Sequence, residues 1–302
     1  MNPVYQGSYT AVDKLIHTFS IVAYDPNKCE WGVAVQSKFL AAAAVVSWAR
    51  SNAGAVATQS YANVSYGYRG LGLMEEGHTA EDTIQLLIKN DENMEQRQVG
   101  VVDRDGTAAS FTGKKCHEWA GHIVGEGYAC QGNILIPGTV ESMAERFEKT
   151  RQGDGELADW LVAALEAGQE AGGDKRGRQA AGLLVVREGG GYGGDNDRYL
   201  DLRVDDHPYP IQKLKQLTEI HHLYFGQVDP EDLISLPGVS RELQTIMKKT
   251  GHFKGEISGL ITEDTVSALK ALVGEENLEE RWNGDENLID KKVVEYLREK
   301  FS

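Results

Sequence analysis

Two apolar segments joined by a short polar turn limit most strongly how this chain can fold. They are residues 18–24 and 31–37, both partly β-branched, and the turn between them is residues 25–30. This pattern predicts two antiparallel strands of a hairpin. Because the segments are apolar at nearly every position, we expect both faces of the strands to be covered. Pairing across the turn places Thr18 opposite roughly Ser37, with Lys38 as the next residue.

The remaining pattern alternates between strands and helices as far as Gly226. Strands are predicted for residues 54–58, 98–103, 108–112, 128–134, 182–187 and 199–204. Helices are predicted for residues 80–90 after Thr79 as N-cap, around 140–147 and 157–165, and after Pro210. Residues 41–49 fit either a buried helix or a strand. The hairpins predict antiparallel sheets covered by helices, an α+β architecture.

A short linker, residues 227–230, separates this part from a C-terminal region in which we predict short helices only. These helices are residues 241–250, 263–273 and 290–300. We therefore divide the chain into an N-terminal leader, residues 1–17, a main domain, residues 18–226, and a small all-α domain, residues 230–302.

The charge, the apolar runs and the cysteines of the sequence argue against several classes of protein. Against 31 Lys and Arg stand 46 Asp and Glu, which gives a net charge of −15 and argues against binding to nucleic acid. No apolar run approaches the ~20 residues of a membrane span. Residues 1–17 lack the basic start and apolar core of a secretory signal, so we expect a cytoplasmic protein. The three cysteines are best interpreted as reduced thiols, and without a C-x-x-C spacing they do not indicate a zinc site.

Thr18 has chemical meaning at the start of a strand beside Lys38. A threonine hydroxyl becomes a nucleophile when an adjacent amine takes its proton, and a nearby cation tunes that amine. A free α-amino group on Thr18, with a pKa of about 7.7–8.0, would suit this role. The other interpretation is that Thr18 only starts a strand and Lys38 is a solvated strand end.

A series of motifs in the first three quarters of the chain resembles one bacterial and archaeal domain-of-unknown-function family. The motifs are residues 18–25 (TFSIVAYD), 31–38 (WGVAVQSK), 54–59 (GAVATQ), 97–103 (RQVGVVD), 111–113 (FTG), 119–122 (WAGH), 131–133 (QGN), 172–179 (GGDKRGRQ) and 198–208 (RYLDLRVDDHP). The resemblance covers about residues 18–226. The family is assigned to the N-terminal-nucleophile (Ntn) hydrolase-like superfamily, which implies a four-layer αββα sandwich.

The resemblance also implies an activity. Thr18, freed by cleavage of the bond after residue 17, would attack the carbonyl of an amide in a small or cell-wall-related substrate. Lys38 would tune the amine, and Asn133 would be the oxyanion donor. No cofactor or metal is implied. The alternative is a non-catalytic Ntn-like protein that binds a ligand or peptidoglycan.

Further polar residues are candidates for binding the substrate. Asp174, Arg176 and Gln179 lie in a glycine-flanked segment that fits either a site for a substrate carboxylate or an internal Asp–Arg pair. Arg69 follows Tyr66 in a segment that fits either a pocket wall or the start of a helix.

The sequence contains two other notable groups of polar residues. Ser37 is a close neighbour of Thr18 in the predicted hairpin, and Gln59 follows a predicted strand and can face the same cleft as Tyr66 and Arg69. The aspartates between residues 195 and 206 fit a structural ion-pair network better than a metal site.

The C-terminal region resembles small helical peptidoglycan-binding-like domains. The resemblance rests on residues 251–255 (GHFKG), residues 257–259 (ISG), Thr265, Ala268 and Leu269. It implies soluble peptidoglycan fragments as partners, or a related fold used for docking, or a structural cap on the main domain. We also expect a homo-oligomer, because such sandwiches often assemble through their helices.

Overall fold

The computed structural model describes residues 15–16, 18–226 and 228–301. The chain forms two compact units whose border falls between Thr218 and Glu219. Of the predicted leader, all but Leu15 and Ile16 lies outside the described residues, and so does Gln227 of the predicted linker.

Two antiparallel sheets form the first unit. Their strands are β1 (Leu15–Ile16), β2 (Thr18–Asp25), β3 (Glu30–Ser37), β4 (Ser47–Arg50), β5 (Gly54–Tyr61), β6 (Arg97–Asp103), β7 (Ala108–Thr112), β8 (Gly121–Gly125), β9 (Tyr128–Asn133), β10 (Ala180–Val186) and β11 (Arg198–Val204). The first sheet has the order β1-β5-β6-β7, with β4 also paired to β5, and the second has the order β11-β10-β3-β2-β9-β8. β2, the strand that begins at Thr18, is therefore an inner strand of the second sheet.

The helices of the first unit follow the apolar spacing of the sequence. They are α1 (Ala43–Val46), α2 (Ser65–Glu75), α3 (Ala80–Ile88), α4 (Thr139–Thr150), α5 (Leu157–Glu170) and α6 (Pro210–Phe225), the last of which crosses the border between the units. Thr79 caps α3, since its side chain accepts a hydrogen bond of 3.1 Å from the backbone N–H of Asp82. The segment that fitted either a helix or a strand forms both, α1 and then β4.

Three apolar clusters hold the first unit together. In the first cluster, Phe19 and Ile21 of β2 pack with buried side chains of α4 and α5. Val22, from the opposite face of β2, belongs to a second cluster with Ala57 of β5 and other residues of both sheets. In the third cluster, Val56 of β5 packs with buried side chains of α2 and α3. The prediction of antiparallel sheets covered by helices is confirmed.

The predicted pairing of the first hairpin is also confirmed, with Thr18 opposite Ser37 and Asp25 opposite Glu30. The second predicted hairpin forms from β6 and β7. β8 was not predicted, because its sequence Gly-His-Ile-Val-Gly has only two apolar residues. In the structure it is an edge strand whose residues alternate between half-buried and exposed.

The second unit is mainly helical. It contains α7 (Leu236–Lys249), α8 (Glu263–Glu275) and α9 (Lys291–Phe301) around one apolar cluster. The prediction of helices only was incomplete, since β12 (Leu233–Ser235) and β13 (Leu288–Asp290) form a small antiparallel pair. Each of these strands has only three residues, which are too few to show a recognisable alternation in the sequence. Among the described residues, no helix of either unit has both the length and the apolar character needed to cross a bilayer.

Candidate functional site

Thr18 lies at the point where the chain changes sheets. Ile16 pairs with Ser60 in the first sheet, whereas Thr18 pairs with Ser37 and Asn133 in the second. The Thr18 side chain is fully buried, and its hydroxyl donates a hydrogen bond to Ser37 Oγ at 3.1 Å. The nucleophile predicted from the sequence is therefore flanked by two of the other predicted site residues.

The space between the sheets is apolar at one end and polar at the end near Thr18. Alternation along each strand places the polar residues on the same faces as members of the second apolar cluster, such as Val22 and Ala57. Six buried polar side chains there come from β2, β5, β6 and β9: Thr18, Ser20, Gln59, Gln98, Gln131 and Asn133. We call these six residues the inter-sheet polar group.

Three members of this group, Thr18, Gln59 and Asn133, are site candidates predicted from the sequence, whereas Ser20, Gln98 and Gln131 were not predicted. A signal for them exists in the sequence. Each lies two residues from another polar or glycine position on an otherwise apolar strand, for example Gln131 before Asn133 and Gln98 before Gly100. Gly100 is needed for close approach, because a Cβ atom there would lie 2.1 Å from Gln131 Oε1.

Gln98 is at the centre of the hydrogen bonds in the group. Its Nε2 donates to the carbonyl oxygens of Gly132 and Gly121, at 2.8 and 3.2 Å, and contacts Thr112 Oγ1 at 2.9 Å. Its Oε1 accepts from Gln59 Nε2 at 2.8 Å and from Asn133 Nδ2 at 3.0 Å. Gln98 thus links strands of both sheets.

Gln59 connects Gln98 with Ser20, which lies two residues after Thr18 on the same face of β2. Gln59 Nε2 also reaches the carbonyl oxygen of Thr18 at 3.3 Å, and its Oε1 accepts from Ser20 Oγ at 2.6 Å. Gln131 Nε2 in turn donates to Ser20 Oγ at 2.7 Å. Because all of these groups are neutral, they can hold polar atoms in place without the desolvation cost of a buried charge.

A loop before β10 joins the same end of the second sheet. The backbone N–H of Lys38 donates to Asp174 Oδ2 at 3.1 Å, and Arg176 forms an ion pair with Asp174 at 2.8 Å. The internal Asp–Arg pair, one of the two interpretations of this segment, is therefore present. The Lys38 side chain is exposed and has no hydrogen bond or ion pair among the described residues. Gln179 lies beside this site through its backbone N–H, which donates to the carbonyl oxygen of Ser37 at 3.0 Å.

Arg69 is an exposed residue of α2, the helix that follows β5 of the first sheet. Its segment starts a helix, in agreement with one of the two interpretations. Within the described part of the chain, no hydrogen bond or ion pair joins Arg69 to Thr18, Ser37 or Asn133.

An ion pair supports the first sheet next to Tyr61 and Ser60. Arg97 binds both carboxylate oxygens of Asp91, at 2.9 and 3.2 Å, and donates to the carbonyl oxygen of Tyr61 at 2.5 Å. Burial acts to raise the pKa of Asp91, but the hydrogen bonds from Arg97, Asn63 and Tyr66 outweigh it and hold this pKa well below its usual range.

Among the aspartates between residues 195 and 206, Asp201 of β11 belongs to an ion-pair network. Arg203 and Arg198 form ion pairs with Asp201, at 2.8 and 3.3 Å. Across the described residues, no group of three or more His, Cys, Asp or Glu side chains is arranged to hold a metal ion. The ion-pair interpretation is confirmed for Asp201.

Comparison with known proteins gives a family for most of the first unit. Residues 18–214 match the family described as "Family of unknown function (DUF1028)". The chain belongs to this family. A DUF1028 protein of known structure, SPO2555 from Silicibacter pomeroyi, is 29% identical with a TM-score of 0.62, over 70% of this chain and 94% of that chain. A search of the curated proteins gives no match.

A second match covers residues 224–297, with the family described as "Putative peptidoglycan binding domain". The two families inferred from the motifs, one of unknown function and one peptidoglycan-binding-like, are thereby confirmed. The ancestral β-subunit Anbu from Yersinia bercovieri is also similar over 70% of this chain and 98% of that chain, with 11% identity and a TM-score of 0.32. That similarity is too low to indicate a shared fold.

Proposed function

We propose that the first unit is an Ntn-type amide hydrolase whose nucleophile is Thr18 after removal of residues 1–17. The observation that supports this most directly is the placement of Thr18. It is the first residue of an inner strand, fully buried, with its hydroxyl 3.1 Å from Ser37 Oγ and Asn133 opposite in register. As part of the proposal, the two sheets and their helices form the four-layer αββα sandwich of Ntn hydrolases. The three apolar clusters support this arrangement.

All atoms that form or break bonds in the reaction belong to Thr18, the substrate and water. The neutral α-amine of Thr18 takes the hydroxyl proton while Oγ1 bonds to the carbonyl carbon and the carbonyl π electrons move onto oxygen. When the oxyanion collapses, the C–N bond breaks and the leaving nitrogen takes the proton from the ammonium. Water then attacks the Thr18 ester in the same way, which releases a carboxylic acid and restores the hydroxyl.

The neighbouring residues have proposed roles in these steps. Asn133 Nδ2 gives one hydrogen to Gln98 and has a second for the oxyanion. Lys38 follows Ser37 at the strand end, where its ammonium would favour the neutral amine and attract an anionic substrate. Gln59 holds the carbonyl oxygen of Thr18 at 3.3 Å and so fixes the backbone at the nucleophile.

We propose a small amide or peptide bearing a carboxylate as the substrate. Arg176 is about one-third exposed while Asp174 holds its guanidinium, and its positive charge would attract a substrate carboxylate to this strand end. Gln179 lies at the same strand end. Arg69 of α2 is a further proposed contact for the substrate.

The intact mass of the freshly purified full chain tests the proposal. Loss of residues 1–17 is expected in the wild type and in Thr18→Ser, but not in Thr18→Val, which keeps the shape and lacks the hydroxyl. The cut protein should hydrolyse at least one member of a panel of carboxylate-bearing amides. A wild-type chain that remains uncut and hydrolyses none of them would refute the proposal.

The match of residues 224–297 supports a second function, binding of peptidoglycan fragments by the second unit. Purified peptidoglycan should then pellet the full chain, and soluble muropeptides should compete. Pelleting of the full chain that is unchanged when residues 228–302 are deleted would rule out this role for the second unit.

A homo-oligomer remains part of the proposal. Light scattering of the full chain should give a mass of at least two chains. A value near the 33.2 kDa of one chain would contradict it.

A further inference from the structure

We propose that Asn133 positions the α-amine of Thr18 by accepting a hydrogen bond from it at Oδ1, and that Gln98 fixes Asn133 in this orientation. The inference rests on the proposed function, since the amine exists only after cleavage before Thr18.

The orientation of Gln98 follows from two backbone carbonyls. The carbonyl oxygens of Gly121 and Gly132 can only accept hydrogen bonds, so the Gln98 atom that lies 3.2 and 2.8 Å from them must be Nε2. Oε1 therefore faces the other way, toward Gln59 and Asn133.

The orientation of Asn133 follows from that of Gln98. The Asn133 atom 3.0 Å from Gln98 Oε1 must be a donor, which is Nδ2. Oδ1 is then turned away from Gln98. It is buried and has no hydrogen-bond partner among the described residues.

A buried acceptor without a donor is costly and rare in folded proteins. Asn133 is directly opposite Thr18 in the strand pair, and both side chains lie on the inter-sheet face. Side chains at such positions are about 5 Å apart at Cβ. Cleavage before Thr18 replaces one amide N–H by an amine with two or three N–H donors, and thereby supplies the donor that Oδ1 lacks.

A hydrogen bond from the amine to Oδ1 would also serve the reaction. It restricts rotation about the N–Cα bond of Thr18, so that the lone pair keeps one direction relative to the hydroxyl. Asn133 would thus act on the general base as well as on the oxyanion. Lys38, Asp174 and Arg176 are charged groups at the same strand end, and the titratable His122 contacts Thr112 beside Gln98; the test leaves all four unchanged.

The test measures the pKa of the Thr18 α-amine in the cut full chain, from the pH dependence of its labelling by an amine-reactive reagent and mass spectrometry of the Thr18 peptide. Asn133→Ala should lower this pKa by about one unit, because the ammonium loses an acceptor. Gln98→Met should lower it too, because Asn133 is then no longer oriented. Gln131→Met is the matched control. This substitution removes a carboxamide on the same face of β9 as Asn133. Because the Gln131 carboxamide contacts Ser20 and not Asn133, the pKa of the amine should be unchanged.

The outcomes separate this inference from the proposed function. A wild-type chain that stays uncut and hydrolyses no amide refutes the proposed function alone, because the amine can still be produced with an added protease. To produce the α-amine in a wild-type chain or a variant that does not lose residues 1–17, residues 13–17 are replaced by Asp-Asp-Asp-Asp-Lys. The chain is then cut before Thr18 with enteropeptidase. An α-amine pKa that is equal in the wild type and Asn133→Ala would overturn the role of Asn133, and one unaffected by Gln98→Met would overturn that of Gln98.

Discussion

Lys38 and Asp174 are joined by a hydrogen bond across 136 positions of the sequence, from the backbone N–H of Lys38 to Asp174 Oδ2 at 3.1 Å. The same carboxylate accepts from the backbone N–H of Arg176 at 2.9 Å. Asp174 is almost completely buried, so it receives these donors in place of water. One side chain therefore fixes the loop before β10 to the end of β3, next to Ser37 and Thr18.

Asp174→Ala should lower the free energy of unfolding of the first unit by about 2 kcal/mol, since it leaves buried donors without an acceptor. Urea unfolding followed by far-UV circular dichroism measures this. Asp195→Ala, at an exposed aspartate, is the control and should change stability by less than about 0.5 kcal/mol. Equal effects of the two substitutions would mean that the loop is not held by Asp174.

Asp91 should make the first unit sensitive to acid. Its pKa is lower in the folded chain than in the unfolded chain, so its contribution is present above about pH 4 and is lost as the pH falls toward the folded pKa. Asp91→Asn should therefore destabilise the unit at pH 7, and its difference from the wild type should shrink below pH 4. Urea titrations between pH 7 and pH 3 measure the difference. A gap that widens in acid would contradict the assigned direction.

Gln98 should tolerate a neutral substitution better than a charged one of nearly the same shape. Gln98→Met removes hydrogen bonds and should cost about 2–3 kcal/mol. Gln98→Glu brings a carboxylate against the carbonyl oxygens of Gly121 and Gly132, and should cost more at pH 7. The pKa of the new carboxyl would be raised, so the stability of Gln98→Glu should recover as the pH falls. Equal stability of the two variants at pH 7 would mean that the amide orientation is not fixed.

The hairpin of β2 and β3 could be predicted from the sequence, because one short turn between two apolar segments sets which residues pair. The families could also be identified from motifs. The position of Thr18 opposite Ser37 follows from the turn alone. Its position opposite Asn133 joins segments more than a hundred residues apart and depends on the order of strands in the sheet.

The hydrogen bonds of Gln98 show what the sequence does not contain. Gln98 lies on β6 of the first sheet, whereas the carbonyl oxygens of Gly121 and Gly132 belong to β8 and β9 of the second. No periodicity within one strand indicates which residue faces it from the other sheet. The same limit holds for Arg69 of α2, because its chemistry is visible in the sequence whereas its distance from Thr18 is not.

Glu30 and Arg187 form a pair, 2.6 Å apart, in which the carboxylate is fully buried. Burial raises the pKa of Glu30, and the Arg187 guanidinium opposes this. Arg187→Met should cost about 3–5 kcal/mol because it leaves a buried charge uncompensated. The double variant Glu30→Leu/Arg187→Met should recover more than half of this loss. A double-mutant cycle by urea unfolding measures the coupling, and strictly additive losses would contradict it.

Arg281 should be the most sensitive polar residue of the second unit. It is 4% exposed, forms an ion pair of 2.6 Å with the fully buried Asp290, and donates to the carbonyl oxygens of His222 and Leu223 near the end of α6. Arg281→Met should cost about 3–5 kcal/mol. Arg281→Lys should recover little, because an ammonium does not reproduce the planar fork of donors.

The unfolding of the second unit is best followed in a full chain in which Trp282, buried next to Arg281, is the reporter and the other four tryptophans are replaced by Phe. Arg298→Met is the control. It breaks the exposed ion pair with Glu242 and should change stability far less than Arg281→Met, because solvent screens an exposed pair. If Arg281→Met and Arg298→Met shift the transition equally, the buried pair does not hold this unit together. If Arg281→Lys restores the wild-type transition, a single charge is sufficient and the several donors of the guanidinium are not required.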